Sequence, residues 1–473
     1  ATDLRISVIA VNTFLAGATG VTYIRPPETP ALFAVSEGVT DIGAPAWQAQ
    51  GVDGAGVRIA VLDPGFYGYD QRIAAGDLPA DVITRSFRTD GDITGGGEKH
   101  GTGCAEIVYD IAPGAQLYLV NFSTDVELGN AIDYLASEGV QVVSASWGFF
   151  STFRGDGQGS INDMTAAALQ SGIFWANSAG NAAQTHWSGS FTDADSDDWT
   201  EFTAGSETNT VSVSAGQRID IYLTWDKWPV TDQDYDLYLF QASQPGAPVA
   251  ASDTWQHGGE APAEEIHYVV PPGQGGTYQI AINSYSTNGD ATFNLYTYPY
   301  SLQYQVPTGS LGGQPSDSPH VRSVGAVAAG TTSLESFSSR GPTTDGRLKP
   351  DVVAPDRVTT ASYGSQGFWG TSASAPPAAG AAALVRDAYP AYDPAAVQGF
   401  LESRATDLGA AGKDNLYGSG ALNLGAAPDA ASPVVSGVLP AGDLLASPAT
   451  ISASFSDAGS GVNPASATLT LDG

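Results

Sequence analysis

The sequence predicts an α/β protein: a mostly parallel sheet flanked by helices and interrupted by an antiparallel β-sandwich. Three observations carry this. From residue 43 to about 176, short runs rich in β-branched residues, such as Val57-Arg58-Ile59-Ala60-Val61-Leu62, alternate with helix-length segments. That is the pattern of parallel strands buried on both faces and joined by crossover helices. Between about 190 and 307 the alternation gives way to short period-two runs separated by Gly, Pro, Asn and Asp, the mark of an antiparallel sandwich. From Val321 onward the small-residue α/β texture resumes. The sandwich therefore reads as an insert within one α/β domain.

Composition bounds the rest. A chain of 473 residues exceeds one ordinary core, so two to four domains are expected. Charged residues make up 14% while Gly and Pro number 57 and 29, which suits a loop-rich globular protein with much β structure rather than a coiled coil or a disordered chain. With 18 basic and 50 acidic residues the formal charge is −32. Nucleic acid is excluded as a partner, because phosphate would be repelled over most of the surface. The single cysteine, Cys104, permits no intramolecular disulfide. No run of 18 apolar residues exists, so no spanning helix is expected. The N-terminus lacks a basic region followed by an apolar run, so any signal peptide is expected to be absent from this chain.

Residues 1–42 combine an apolar stretch, Ile6 to Leu15, with Arg25-Pro26-Pro27, and read as an N-terminal segment, a propeptide remnant or linker. Residues 43–189 and 308–427 form the discontinuous α/β domain. Strands are expected at Val57–Leu62, Leu117–Val120, Val140–Ala145 and Ile173–Ala176. Helices are expected from His100 to near Pro113, at Val126–Leu135 and at Ile161–Leu169. Within the insert, 190–307, strands are expected around Val211–Val213, Ile219–Leu223, Asp236–Phe240, Tyr278–Ile282 and Phe293–Tyr296. Val321–Val327 returns to the parallel sheet. Ala378 to Val385 is an alanine-rich buried helix, and Asp393-Pro394 caps another that runs to about Ser403. Residues 428–473, with strand-like Ala449–Phe455 and Ala467–Leu471, are too few for an independent sandwich and read as a truncated module.

Chemistry concentrates at three of these junctions. Asp63 ends a parallel strand, His100 opens a helix, and Gly370-Thr371 delivers Ser372 to the start of the alanine-rich helix. Sites in open α/β sheets assemble beyond the carboxyl ends of the strands, so the three can converge. Each has an ordinary reading when taken singly: a strand-end turn, a helix cap, a serine N-cap, and for Asn181 an Asx turn. Together, in the order Asp, His, Ser, they match one known chain order of the Ser-His-Asp constellation.

The local sequences add a resemblance. Val61-Leu62-Asp63, His100-Gly101-Thr102, Ser178-Ala179-Gly180-Asn181 and Gly370-Thr371-Ser372-Ala373-Ser374-Ala375-Pro376 resemble the signature blocks of the subtilisin-like serine proteases, the subtilases. Ser338-Ser339-Arg340-Gly341-Pro342 and Leu348 to Pro355 resemble two further family stretches. The resemblance implies a subtilisin-like fold and a secreted serine endopeptidase whose chemistry needs no cofactor. Ser372 would be its nucleophile, His100 its base and Asp63 the partner of the imidazole. Asn181 would supply the oxyanion hole together with the Ser372 N–H. Ser146-Trp147-Gly148 and Ser178-Ala179-Gly180 would pair with an extended protein or peptide substrate, and the chain's own prosegment would be a further partner.

Several positions depart from the family pattern. Gly103 stands where a second histidine is usual, Glu106 where glycine is, Pro377 where histidine is, and Asp356 where a glycine closes the Ala-Pro-Gly stretch. Cys104, one turn after His100, reads as a buried small hydrophobe rather than a nucleophile. The insert, with Asp195-Ser196-Asp197-Asp198-Trp199 and Gly275-Gly276-Thr277-Tyr278, resembles the bacterial pre-peptidase C-terminal (PPC) domain. The tail, with Asp457-Ala458-Gly459-Ser460-Gly461-Val462, resembles bacterial Ig-like surface repeats, and an extracellular location rests on that. The clusters Asp193, Asp195, Asp197, Asp198 and Asp232, Asp234, Asp236 are oxygen-rich enough for structural Ca²⁺, and solvated acidic loops are the equal alternative. The rival to the enzyme is a binding or adhesion protein built on an inactive scaffold of this family.

Overall fold

The computed structural model describes residues 35–429, 434–439 and 452–456. Expectations placed on Ile6–Leu15, Arg25–Pro27 and Ala467–Leu471 lie outside the described residues. The chain begins with two short helices, α1 (Glu37–Asp41) and α2 (Ala44–Gln48). Then come β1 (Arg58–Asp63), α3 (Tyr69–Ala75), β2 (Ile83–Ser86), α4 (His100–Ile111), β3 (Gln116–Asn121), α5 (Asp125–Ser137), β4 (Val142–Ala145), α6 (Ser160–Gln170) and β5 (Phe174–Ser178). Eight strands follow without a helix: β6 (His186–Ser190), β7 (Asn209–Val213), β8 (Arg218–Trp225), β9 (Asp234–Gln241), β10 (Gln244–Ser252), β11 (Ala263–Val269), β12 (Gly276–Ser286) and β13 (Thr292–Tyr298). The chain returns through β14 (Arg322–Ala328), β15 (Val352–Asp356), β16 (Val358–Thr360) and β17 (Gly364–Phe368) to α7 (Thr371–Ala388) and α8 (Pro394–Arg404). A last antiparallel pair, β18 (Val434–Leu439) and β19 (Ser452–Ser456), is exposed along its length.

Seven strands form one sheet in the order β15-β14-β5-β4-β1-β3-β2, and every pairing is parallel. Successive residues point to opposite faces. In β1, Ile59 and Val61 join the cluster built with α4 and α7, while Ala60 and Leu62 join the one built with α5 and α6. Both faces are therefore covered, which explains why these strands read as continuous apolar runs rather than alternating ones. Strand order reverses beside β1: β3 lies on one side of it and β4 on the other. Asp63 ends the strand at that switch point, where crevices open in sheets of this kind.

Helix α7 is buried on almost all sides, from Ala373 through Val385. Small residues make that placement feasible. A Cβ at Gly380 would stand 2.7 Å from Ile111 Cγ2, so α4 and α7 cross at glycine distance. The capping expected for α8 is present, with Asp393 Oδ1 accepting from Ala396 N–H at 2.8 Å and Pro394 at the first helical position.

Two boundaries shift relative to the sequence reading. Val39 and Ile42, expected in the N-terminal segment, are buried in the α4/α7 core, and the Ser36 hydroxyl caps the helix that carries Val39. The sandwich also starts earlier than 190, because β6 pairs with β13 from His186↔Tyr296 onward. Its two sheets, β10-β9-β12-β7 and β11-β8-β13-β6, enclose a separate core that includes Trp225, Tyr235 and Phe293. No helix among the described residues is long and apolar enough to cross a membrane.

Candidate active site

Asp63 is fully buried, and its Oδ2 lies 2.7 Å from His100 Nδ1. Local sequence makes the approach feasible. A Cβ at Gly101 would stand 2.7 Å from Asp63 Cβ and 2.6 Å from the Phe66 ring, so only glycine lets the helix start this near the strand end. Phe368, just ahead of the serine turn, packs edge-on against the imidazole with centroids 5.3 Å apart. Burial acts to lower the His100 pKa, but the charge and hydrogen bond of Asp63 carry it above its ordinary value.

Ser372 sits in the first turn of α7. Its N–H has no carbonyl four residues back within the helix, and the positive end of the helix dipole lies beside it. Pro376 lacks an N–H, so the Ser372 carbonyl is also left without its intrahelical donor. Ser146 Oγ fills that vacancy at 3.1 Å, with the Cys104 thiol at 3.6 Å. Ser372 Oγ itself donates to Ser146 O at 3.4 Å, and among the described residues it makes no hydrogen bond with His100. Nucleophile–base bonds are often long in unliganded enzymes and tighten with substrate.

Asn181 completes the group. Its Oδ1 accepts from Thr371 N–H and from Thr371 Oγ1, both at 2.9 Å, which fixes the amide orientation. Nδ2 is then the end available for a ligand. It lies 3.0 Å from where a Cβ at Gly370 would stand, and Gly370 has φ 108°, so glycine is required there twice over. Thr371 Oγ1 also accepts from Gly180 N–H at 3.1 Å, tying the 178–181 edge to the serine turn. Asp63, His100, Ser372 and Asn181 thus meet at the carboxyl ends of β1 and β5 and the start of α7.

The residues expected along a substrate edge divide by role. Ser146 contacts Ser372 directly. The Trp147 indole donates to Leu62 O at 2.8 Å, and its ring packs among Phe122, Phe149 and Trp175. The Trp147 side chain is thus half-buried against the protein. Ala179 and Gly180 have main-chain groups taken up within the chain: Ala179 N–H donates to Val324 O at 2.9 Å, Ala179 O accepts from Gly312 N–H at 2.8 Å, and Gly180 O accepts from Ser339 N–H at 2.9 Å.

The departures acquire partners as well. A Cβ at Gly103 would stand 2.8 Å from the Tyr363 ring, which excludes histidine. Burial pushes the Cys104 thiol well above its usual range, so it is not a thiolate. Burial also raises Glu106, whose carboxylate accepts from the Ser362 N–H at 3.1 Å and from the Ser362 hydroxyl. Asp356 Oδ1 accepts from Gly370 N–H at 2.7 Å, and burial pushes this carboxyl up to about 7. Sequence reading noted the Asp356 substitution but not its partner, and it placed Thr371 and Phe368 beside Ser372 without their contacts to Asn181 and His100.

Asp193, Asp195 and Asp197 each bring one carboxylate oxygen within 4.8 Å of the others. Calcium takes roughly six to eight oxygens, so backbone or water would have to supply the rest. Asp193 already accepts from the N–H groups of Ser196, Asp197 and Asp198. Asp232, Asp234 and Asp236 do not gather in this way among the described residues.

Over residues 54–420 the chain matches the subtilase family, peptidase S8, and it belongs to that family. It is 35% identical over 140 residues to serine protease AprX of Bacillus subtilis (strain 168), covering 25% of this chain and 31% of that protein. It is 37% identical over 118 residues to subtilisin E of the same strain, covering 25% of this chain and 29% of that protein. The matched stretches thus span less than a third of either relative. Among solved structures, the CspB protease of Clostridium perfringens is similar with a TM-score of 0.59 at 16% identity, covering 82% of this chain and 96% of its own. At that identity the likeness speaks for the fold, a subtilisin-like parallel sheet flanked by helices.

Proposed function

We propose that this chain is a serine endopeptidase that cleaves proteins through an acyl-enzyme on Ser372. The observation that carries the reading is the 2.7 Å bond between His100 Nδ1 and the buried Asp63 carboxylate, in the crevice where Ser372 opens α7. Ser372 Oγ attacks the scissile carbonyl carbon and passes its proton to His100 Nε2. Asp63 keeps Nε2 free of hydrogen before that step and stabilises the imidazolium after it. The oxygen that gains charge meets the Ser372 N–H and the Asn181 Nδ2. His100 then protonates the leaving amine, and water, deprotonated by the same imidazole, releases the acyl group.

Main-chain pairing with the Ser146–Gly148 edge holds the substrate extended, because unpaired backbone binds peptide of many sequences, whereas Ala179 and Gly180 already pair within the chain. Proteins in an extended, unfolded state are therefore the substrate class, and the cell exterior is the proposed setting. Hydrolysis of denatured casein by the chain, set beside Ser372→Ala, tests the activity. The expected result is cleavage that falls by on the order of 10⁶ in the variant, the loss known for the serine of subtilisin itself. Equal casein turnover by the two proteins, or none by the wild type, would overturn the reading.

A further inference from the structure

The proposed Ser146–Gly148 substrate edge and the facing Ser178–Gly180 edge are joined by one short segment, Leu311–Gln314, through which the chain leaves the insert. Gly312 N–H donates to Ala179 O at 2.8 Å on one edge. Phe149, which continues the other edge, exchanges both backbone bonds with Gln314, at 2.8 and 2.9 Å. Glycines make the fit. A Cβ at Gly180 would stand 2.5 Å from Gly312 Cα, and one at Gly312 would stand 2.7 Å from Gly180 Cα. A Cβ at Gly148 would overlap the Gly312 carbonyl oxygen. The backbones of Gly148, Gly312 and Gly180 are therefore in direct contact, with no side chain's width between them.

The segment is braced from behind. Leu311 O accepts from Tyr296 OH at 3.1 Å, and the Gln314 side chain accepts from Thr152 Oγ1 at 3.1 Å. Phe150 stacks on Tyr222 of the insert, with centroids 5.0 Å apart at 18°. The cavity behind the segment, bounded by Phe150, Tyr296, Leu311 and Gln314, holds about 50 Å³, room for a few waters but not for an aromatic ring.

We infer that the Gly312 main chain floors the cleft between the edges and restricts the substrate residue whose carbonyl is attacked to glycine, alanine or serine. A larger side chain there meets peptide backbone, which cannot rotate aside as a side-chain tip can. The insert is thereby part of the specificity apparatus, since it delivers and braces the floor. This inference rests on the proposed protease reading and on the substrate lying along the Ser146–Gly148 edge.

The test is a series of chromogenic tetrapeptide anilides that differ only in the residue before the anilide: Gly, Ala, Phe and Lys. The same protein is titrated with a fluorophosphonate in parallel. The expected kcat/KM for Ala exceeds that for Phe and Lys by at least about 10²-fold, the scale on which filled pockets discriminate. Protein that takes the fluorophosphonate on Ser372 yet turns over Phe as fast as Ala, or turns over none of the series, overturns the floor while the activated serine stands. Protein that takes no fluorophosphonate overturns the protease reading and the inference together.

Discussion

Asp356 ends the last strand of the parallel sheet, and its side chain holds the turn that presents Ser372. Burial lifts its pKa from an ordinary 3.8 to about 7, against the hydrogen bonds from Arg357 and Gly370 that favour the charge. The folded state thus keeps a proton that the unfolded chain releases near pH 4. Between pH 4 and 7 the folded state binds more protons, so this group's contribution to stability falls as pH rises and is lost above 7. Asparagine at 356 keeps the acceptor for Gly370 N–H and does not ionise. Asp356→Asn is expected to be more stable than the wild type at pH 8 by about 1–2 kcal/mol, and nearly equal to it at pH 5. Urea unfolding at the two pH values checks this; a gain independent of pH, or a loss at pH 8, would contradict it. At this scale, sequence reading could single out Asp63, His100, Asn181 and Ser372 because their chemistry is carried by residue type within short motifs. It could not find Ser146 Oγ on the Ser372 carbonyl, or Asp356 on Gly370. Those bonds depend on where the chain returns in space, which no local spacing encodes.

Among the elements, α7 and α8 carry a contrast that separates packing from propensity. Each has a glycine in its interior, where alanine is worth roughly 1 kcal/mol more in helix propensity. At Gly399 in α8 nothing lies within 4 Å of the added methyl, so Gly399→Ala is expected to stabilise by up to about 1 kcal/mol. At Gly380 in α7 the methyl would meet Ile111 Cβ at 2.8 Å, an atom fixed to its helix. Gly380→Ala is expected to destabilise by about 1–3 kcal/mol despite the better propensity. Denaturant midpoints of the two variants decide it, and equal shifts of one sign would contradict the packing account. The same distinction governs what was legible. Strands β1 and β3–β5 and helices α4–α6 announced themselves because their apolar runs or helical spacing match how they are buried. Strand β2 sits at the sheet edge with no fully buried residue, and β10 contains Pro245, Gly246 and Pro248. Helices α1 and α2 have five residues each and are held by the core rather than by their own pattern.

Across the molecule, a single antiparallel insert stands between the Asn181 edge and the strand that resumes the parallel sheet. Its presence was legible from the change of period, but its entry point was not. His186 begins β6 yet is buried, with Nδ1 bonded to Val306 O at 2.7 Å, so entry and exit of the insert are joined there. Its relation to the cleft was not legible either. The Phe150–Tyr222 stack and the Gly312 floor join segments far apart in sequence, and glycine–glycine contact leaves no apolar signature. The proposed peptidase chemistry requires an activated Ser372. Covalent labelling of the purified, folded chain with a fluorophosphonate, read by intact-mass and peptide mass spectrometry beside Ser372→Ala, tests that most directly. One adduct per chain is expected, located on Ser372 and absent from the variant. A folded wild-type chain that takes no label, or a variant that labels equally, would contradict that chemistry.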